Sequence, residues 1–246
     1  MADIREFPDP QAVAKATAEL FVEAASDAVA KRGAFAVVLS GGSTPKLLYA
    51  LLADEPYRSK VAWEKVEVYF ADERAVAPDH ADSNFKTAND GLLARVPIRA
   101  ENVHRMRGEI DPNEAAVAYG RMLKARFGEG GPDVTMLGMG DDGHTASLFP
   151  GTPAVDELEH RCVAQFVEKS TTGRSWRITL TAPFINRSGQ VWVLLTGGSK
   201  AERLKEVLEG PREPGRLPIQ LIAPASGGML WLLDRAAAAG VSGGGR

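Results

Sequence analysis

Asp142 and His144 stand two residues apart, with Gly143 between them, in the run Val-Thr-Met-Leu-Gly-Met-Gly-Asp-Asp-Gly-His-Thr-Ala-Ser-Leu-Phe-Pro at 134–150. In an extended or loosely turned backbone, that spacing puts both side chains on the same side. A carboxylate beside an imidazole fixes its tautomer and leaves the outer ring nitrogen free to take a proton, which is general-base chemistry. The competing use of the pair is a structural hydrogen bond. Position favours the base. The apolar run at 134–137 reads as a buried strand, and open α/β sheets bind ligands where their strands end. Gly138, Gly140 and Gly143 permit tight turns and close approach of a ligand.

Two further segments echo one another: Ser40-Gly-Gly-Ser-Thr-Pro-Lys46 and Thr196-Gly-Gly-Ser-Lys200. Each reads as a strand end, a Gly-Gly turn and a helix start. Unpaired N–H groups and the helix dipole favour an anion at such a place. Lys46 and Lys200 fall in the first turn, where a cation is unfavourable unless an anion binds beside it. The plainer alternative is a βα turn with a solvated lysine. Neither segment matches GxGxxG or GxxxxGK[ST], which disfavours a dinucleotide or nucleoside triphosphate. Asp72-Glu73-Arg74 is expected to close the second strand and bring charge to the same edge. Arg74 either pairs with the neighbouring acids or sits over a developing negative charge; Arg177 is a second anion binder or a solvated edge residue. Around Asp141, Asp142 and His144 no second histidine stands at ligand spacing, since His80, His104 and His160 lie in polar contexts, so a metal site is disfavoured.

The elements that would position these groups alternate strand and helix. Asp9-Pro10 and Asp111-Pro112 are helix starts, with helical stripes over 12–31 and on to 127. Helices are also expected from Pro45, with Thr44 as its cap, and from Ser83, Thr181 and Lys200. Strands are expected at 35–39, 66–70, 134–137, 161–167, 176–180, 191–195 and 229–233, and a short one at 102–106. This is an α/β pattern, implying a largely parallel sheet with helices on both faces. No shift in composition divides the chain, so 1–240 reads as one domain and 241–246 as a flexible Gly-rich tail. Apolar content of 44% in 246 residues supplies an ordinary core. A net charge of −3 argues against nucleic acid or an anionic membrane as partner. The single cysteine, Cys162, cannot form an internal disulfide and reads as a small buried hydrophobe. No signal peptide or membrane span is evident, and a cytoplasmic location is expected.

Together these motifs carry a resemblance. Ser-Gly-Gly-Ser-Thr-Pro at 40–45, Asp-Glu-Arg at 72–74 with Ser83-Asn84 downstream, and Gly-x-Gly-x-Asp-Gly-His-Thr-Ala-Ser-Leu-Phe-Pro at 138–150 resemble the 6-phosphogluconolactonase family. Arg177-x-Thr179, Gly197-Gly-Ser-Lys200 and Trp231-x-x-Asp234 fit it too, in order over nearly the whole chain. The resemblance implies the α/β, Rossmann-like fold of the sugar-phosphate isomerases. The implied reaction is hydrolysis of 6-phospho-D-glucono-1,5-lactone to 6-phosphogluconate in the oxidative pentose phosphate pathway, with no cofactor or metal. It also implies roles. His144 would be the general base, Asp142 its orienting acid, and Arg74 the group that steadies substrate or oxyanion. The phosphate would sit at the turn of Gly41, Gly42, Ser43 and Thr44, with Lys200 and Arg177 as countercharges and Asp72 among the substrate contacts. The partner would be a small sugar-phosphate lactone, and the chain a monomer or weak homodimer.

Two rival readings remain. A glucosamine-6-phosphate deaminase or related isomerase would need a further acid after the histidine turn, and no carboxylate follows His144 until Asp156. A sugar-phosphate sensor would keep the phosphate turn, lose the base and carry a basic DNA-binding segment, which does not precede this domain. Ser147 as a nucleophile ranks below direct water attack, because it lacks a Gly-x-Ser-x-Gly elbow.

Overall fold

The computed structural model describes residues 3–168, 175–225 and 227–242. Short β1 (Asp3–Phe7) leads to helix α1 (Pro10–Arg32), which starts as its caps dictate. The Asp9 carboxylate accepts the Ala12 N–H at 2.8 Å, Pro10 takes the first position, and Gly33 closes the helix at φ +79°. Then follow β2 (Phe35–Leu39), α2 (Ser43–Ala53), β3 (Val66–Phe70), β4 (Asp72–Arg74) and α3 (Asn84–Gly91). Helix α4 (Pro112–Phe127), capped by Asp111, precedes β5 (Val134–Leu137), β6 (Cys162–Val167), β7 (Ser175–Leu180) and α5 (Ala182–Ile185). The chain ends through β8 (Gln190–Leu195), α6 (Ala201–Glu209), β9 (Gly228–Asp234) and α7 (Arg235–Ala238).

Six strands form one parallel sheet in the order β1-β9-β8-β5-β2-β3. Side-chain alternation divides its core between two faces. Phe35, Val37 and Leu39 of β2 join α1 and α2 on one side, where Phe21 packs edge-on to Phe35 at 5.2 Å. Ala36 and Val38 join α4, α5 and the second sheet on the other. The α/β class, the parallel sheet and the helices on both faces all agree with the sequence reading. Among the described residues no helix is long and apolar enough to cross a membrane.

Three features differ from it. The polar strand β1 was not foreseen; it lies at the sheet edge, where half-exposed side chains are tolerated. Strands β4, β7 and β6 form a separate antiparallel sheet. Asp72-Glu73-Arg74 therefore does not close the second strand of the main sheet. Ala71 is the branch point: its N–H bonds Leu39 O of the parallel sheet at 2.9 Å, while its carbonyl accepts Leu180 N–H of the second at 2.8 Å. The expected strand at 102–106 is only a single bridge, Val103 to Val68.

Cys162 is buried and its thiol is pushed well up by burial, which leaves it inert packing. Near the C-terminus Val241 packs on the core and Ser242 bonds Glu209. The rest of the expected tail, 243–246, lies outside the described residues.

Candidate active site

Strands β2, β5 and β8 end at a cavity of about 420 Å³. His144, Asp142, Arg74, Asp72, Arg177, Lys200 and the turn residues Gly41, Gly42, Ser43 and Thr44 all line it. Lys46, by contrast, is exposed and does not line the cavity.

After β5 the chain turns on Gly140 and Gly143, the latter at φ +83°, and the Gly140 N–H bonds the His144 carbonyl at 2.9 Å. This loop brings Asp142 Oδ1 to 2.6 Å from His144 Nδ1 and 3.0 Å from the His144 N–H. Burial acts to raise the Asp142 carboxyl, but the hydrogen bonds and charge of His144 overturn it and hold the group below its ordinary range. An ionised Asp142 on Nδ1 leaves Nε2 as the ring's free nitrogen. The ring has little room: a Cβ at Gly140 would lie 2.1 Å from both Cε1 and Nδ1.

The two Gly-Gly turns, alike in sequence, are unlike in structure. Helix α2 begins at Ser43 behind Gly42 at φ +113°, and no side chain caps it. Thr44 is not the cap the sequence suggested, because Gly42 occupies that position. The Thr44 hydroxyl turns instead to Thr196 Oγ1 at 2.8 Å, tying the two turns together. The Ser43 and Thr44 amides are thus left without a side-chain acceptor among the described residues, beside the cavity. At the second turn the corresponding role is taken internally, since the Gly197 N–H donates to the Asp234 carboxylate at 3.0 and 3.1 Å. The first turn has no such internal carboxylate among the described residues, so its Gly42 N–H stays available to an anion. Lys200 reaches over from the second turn and pairs with Asp141.

Residues 8–231 match the family model described as glucosamine-6-phosphate isomerases/6-phosphogluconolactonase. The chain belongs to this family. It is 36% identical over 245 residues to the 6-phosphogluconolactonase of Nostoc sp., covering 97% of this chain and 98% of that one. With the Haemophilus influenzae 6-phosphogluconolactonase it shares 38% over 201 residues, 82% and 85% of the two chains. Among solved structures, the 6-phosphogluconolactonase from Trypanosoma brucei superposes with a TM-score of 0.86 at 29% identity, covering 98% and 99%. A monomeric glucosamine-6-phosphate deaminase superposes at 0.83 with 19% identity, covering 97% and 99%, a likeness of fold alone.

In this family member the second sheet brings its own charges to the cavity. Arg74 of β4 and Arg177 of β7 stand directly opposite one another in the antiparallel ladder. Like charges so placed repel unless something neutralises them. Arg177 is 2% exposed; burial pushes its guanidinium below the ordinary range, the Arg74 charge adds to this, and Asp72, Asp82 and Glu73 oppose it. Arg74 Nη1 donates to the Asp82 carbonyl, while its buried Nε has no acceptor among the described residues. An anion in the cavity would give the Arg74 Nε its acceptor.

Strand alternation separates the two acids of Asp72-Glu73-Arg74. Glu73 points away and is structural. It accepts the N–H groups of Arg74, Asn84 and Phe85, each at 2.8 Å, and the Ser83 hydroxyl at 3.0 Å, so it holds the start of α3. Burial raises its carboxyl and those four donors oppose the rise. Asp72 faces the cavity and is held by Asn84 Nδ2 at 2.9 Å and the Ser147 hydroxyl at 2.6 Å. Asn84 and Ser147 also line the cavity; Asn84 carried no role in the sequence reading, and Ser147 only the lower-ranked one of nucleophile. The Ser83-Asn84 pair was the available signal for the first. For the bond of Ser147 to Asp72 there was none, because it spans 75 residues. With its proton on Asp72 and 1% exposure, Ser147 makes a poor nucleophile. Gly41 belongs to the same arrangement: a Cβ there would lie 2.0 Å from Asn84 Oδ1.

Proposed function

We propose that this chain hydrolyses 6-phospho-D-glucono-1,5-lactone to 6-phosphogluconate, the lactone-opening step of the oxidative pentose phosphate pathway. The observation that carries the reading is a single cavity holding an Asp142-bound imidazole and, apart from it, an uncapped helix start flanked by lysine and arginine. The relatives named 6-phosphogluconolactonase at 36–38% identity support it. A lactone carbonyl needs an activated water and a stabilised oxyanion, and this chain's side chains supply both.

His144 Nε2 takes a proton from the attacking water and later passes it to the ring oxygen that leaves C1. Asp142 keeps the ring in the required tautomer and stabilises its charged form. The phosphate sits at the amides of Gly42, Ser43 and Thr44, with Lys200 and Arg177 as countercharges. Arg74, with its unused Nε, steadies the substrate or its developing oxyanion. Phosphate is remote from the reacting carbon, so its binding orients C1 without entering the chemistry.

The test is an assay on freshly generated lactone, corrected for spontaneous hydrolysis. Saturable acceleration is expected. Ammonia release from glucosamine 6-phosphate without lactone hydrolysis would overturn the reading. Lys200→Ala should raise KM about tenfold with kcat nearly unchanged, because the ammonium touches ground state and transition state alike. Steady-state kinetics showing loss in kcat alone would move Lys200 out of the phosphate site.

A further inference from the structure

We infer that Phe149 is a positioning residue for His144, whose aromatic face supports the imidazole while it carries the proton taken from water. The inference rests on the assignment of His144 as the base. The two rings are stacked, with centroids 4.2 Å apart and planes 28° from parallel. Phe149 is 8% exposed and lines the same cavity.

The stack is built locally and held firmly. Between the two rings the chain reverses through Ala146, at φ +49° the only non-glycine with positive φ among the described residues. The Thr145 hydroxyl bonds Gly138 O at 2.8 Å, and Leu148, fully buried, donates its N–H to Thr145 O at 2.9 Å. On the far side the Thr152 hydroxyl bonds the Phe149 carbonyl at 2.7 Å. The imidazole is therefore confined by Asp142 at its Nδ1 edge, by the Gly140 backbone within van der Waals reach, and by Phe149 on one face.

The timing of charge gives the aromatic face its effect. As water attacks C1, one water O–H bond breaks and its proton goes to Nε2, a C1–O bond forms, and the carbonyl electron pair moves onto oxygen. When the carbonyl reforms, the bond from C1 to the ring oxygen breaks and the Nε2 proton passes to that oxygen. Between the two transfers the imidazole is a cation against the negative face of an aromatic ring. A neutral imidazole gains much less from that face. The interaction therefore strengthens along the reaction and belongs in kcat rather than in KM.

Replacing Phe149 by 4-fluoro-, 3,5-difluoro- and pentafluorophenylalanine keeps the ring's shape while draining its face of negative charge. We expect kcat to fall stepwise, by about tenfold at pentafluorophenylalanine, with KM for the lactone and the melting temperature unchanged. Phe149→Leu should lose at least as much, and Phe149→Tyr should retain kcat. A flat fluorination series in an enzyme that His144→Ala inactivates overturns the inference and leaves the base assignment standing. Full activity in His144→Ala overturns the assignment itself.

Discussion

Replacing His144 by alanine should lower kcat by about 10³-fold, while 6-phosphogluconate still binds within about twofold of its original affinity. The magnitude is that of a positioned base whose proton transfer is lost, on the order of 10²–10⁴. The preserved affinity follows from the site's division of labour. In the proposed binding mode product is held through its phosphate at Gly42, Ser43 and Thr44, and the link between this turn and Thr196 does not pass through the histidine loop. His144 is 27% exposed in its side chain and, among the described residues, hydrogen-bonds only within its own loop, so its removal should leave the fold in place. The measurement is kcat from initial rates alongside calorimetric titration with 6-phosphogluconate. Parallel loss of rate and affinity would place His144 in binding rather than proton transfer.

A single methyl group on Gly140 should be nearly as damaging, with kcat reduced by about 10²-fold. The backbone at Gly140 does not have positive φ, so alanine meets no conformational penalty there. Its whole effect is steric. The Cβ would stand 2.1 Å from two atoms of the imidazole and 2.9 Å from Asp142 Oδ1, distances that real Cβ atoms do not sustain. Either the ring rotates or the turn shifts, and both break the 2.6 Å Nδ1 to Oδ1 contact. Displacing a catalytic group by about 1 Å costs on the order of 10²-fold. Because both substitutions act through one ring, Gly140→Ala combined with His144→Ala should be no slower than His144→Ala alone. The double-mutant cycle checks this, and additive losses would show that Gly140 acts elsewhere.

What the sequence showed is what short-range rules govern. The Asp-Pro starts at 9 and 111 place α1 and α4, the unbroken apolar run of Phe35 to Leu39 shows a strand buried on both faces, and Asp142-Gly-His144 shows its hydrogen bond through two-residue spacing. The motifs also marked which strand ends would carry chemistry, and those residues do share one cavity.

Partnership between distant segments was invisible, and it decides how the site is wired. Nothing near Ala71 shows that the chain leaves one sheet for another, because both of its partners, Leu39 and Leu180, lie far along the chain. The Gly-Gly turns look interchangeable until Asp234 takes the Gly197 N–H of one and Thr44 joins Thr196 across 152 residues. Arg74 faces Arg177 only because the register of β4 on β7 puts them opposite. Caps and alternation depend on residues within about one turn or one pleat of each other. Register and internal counter-ions depend on how whole elements pack, a property of the assembled core.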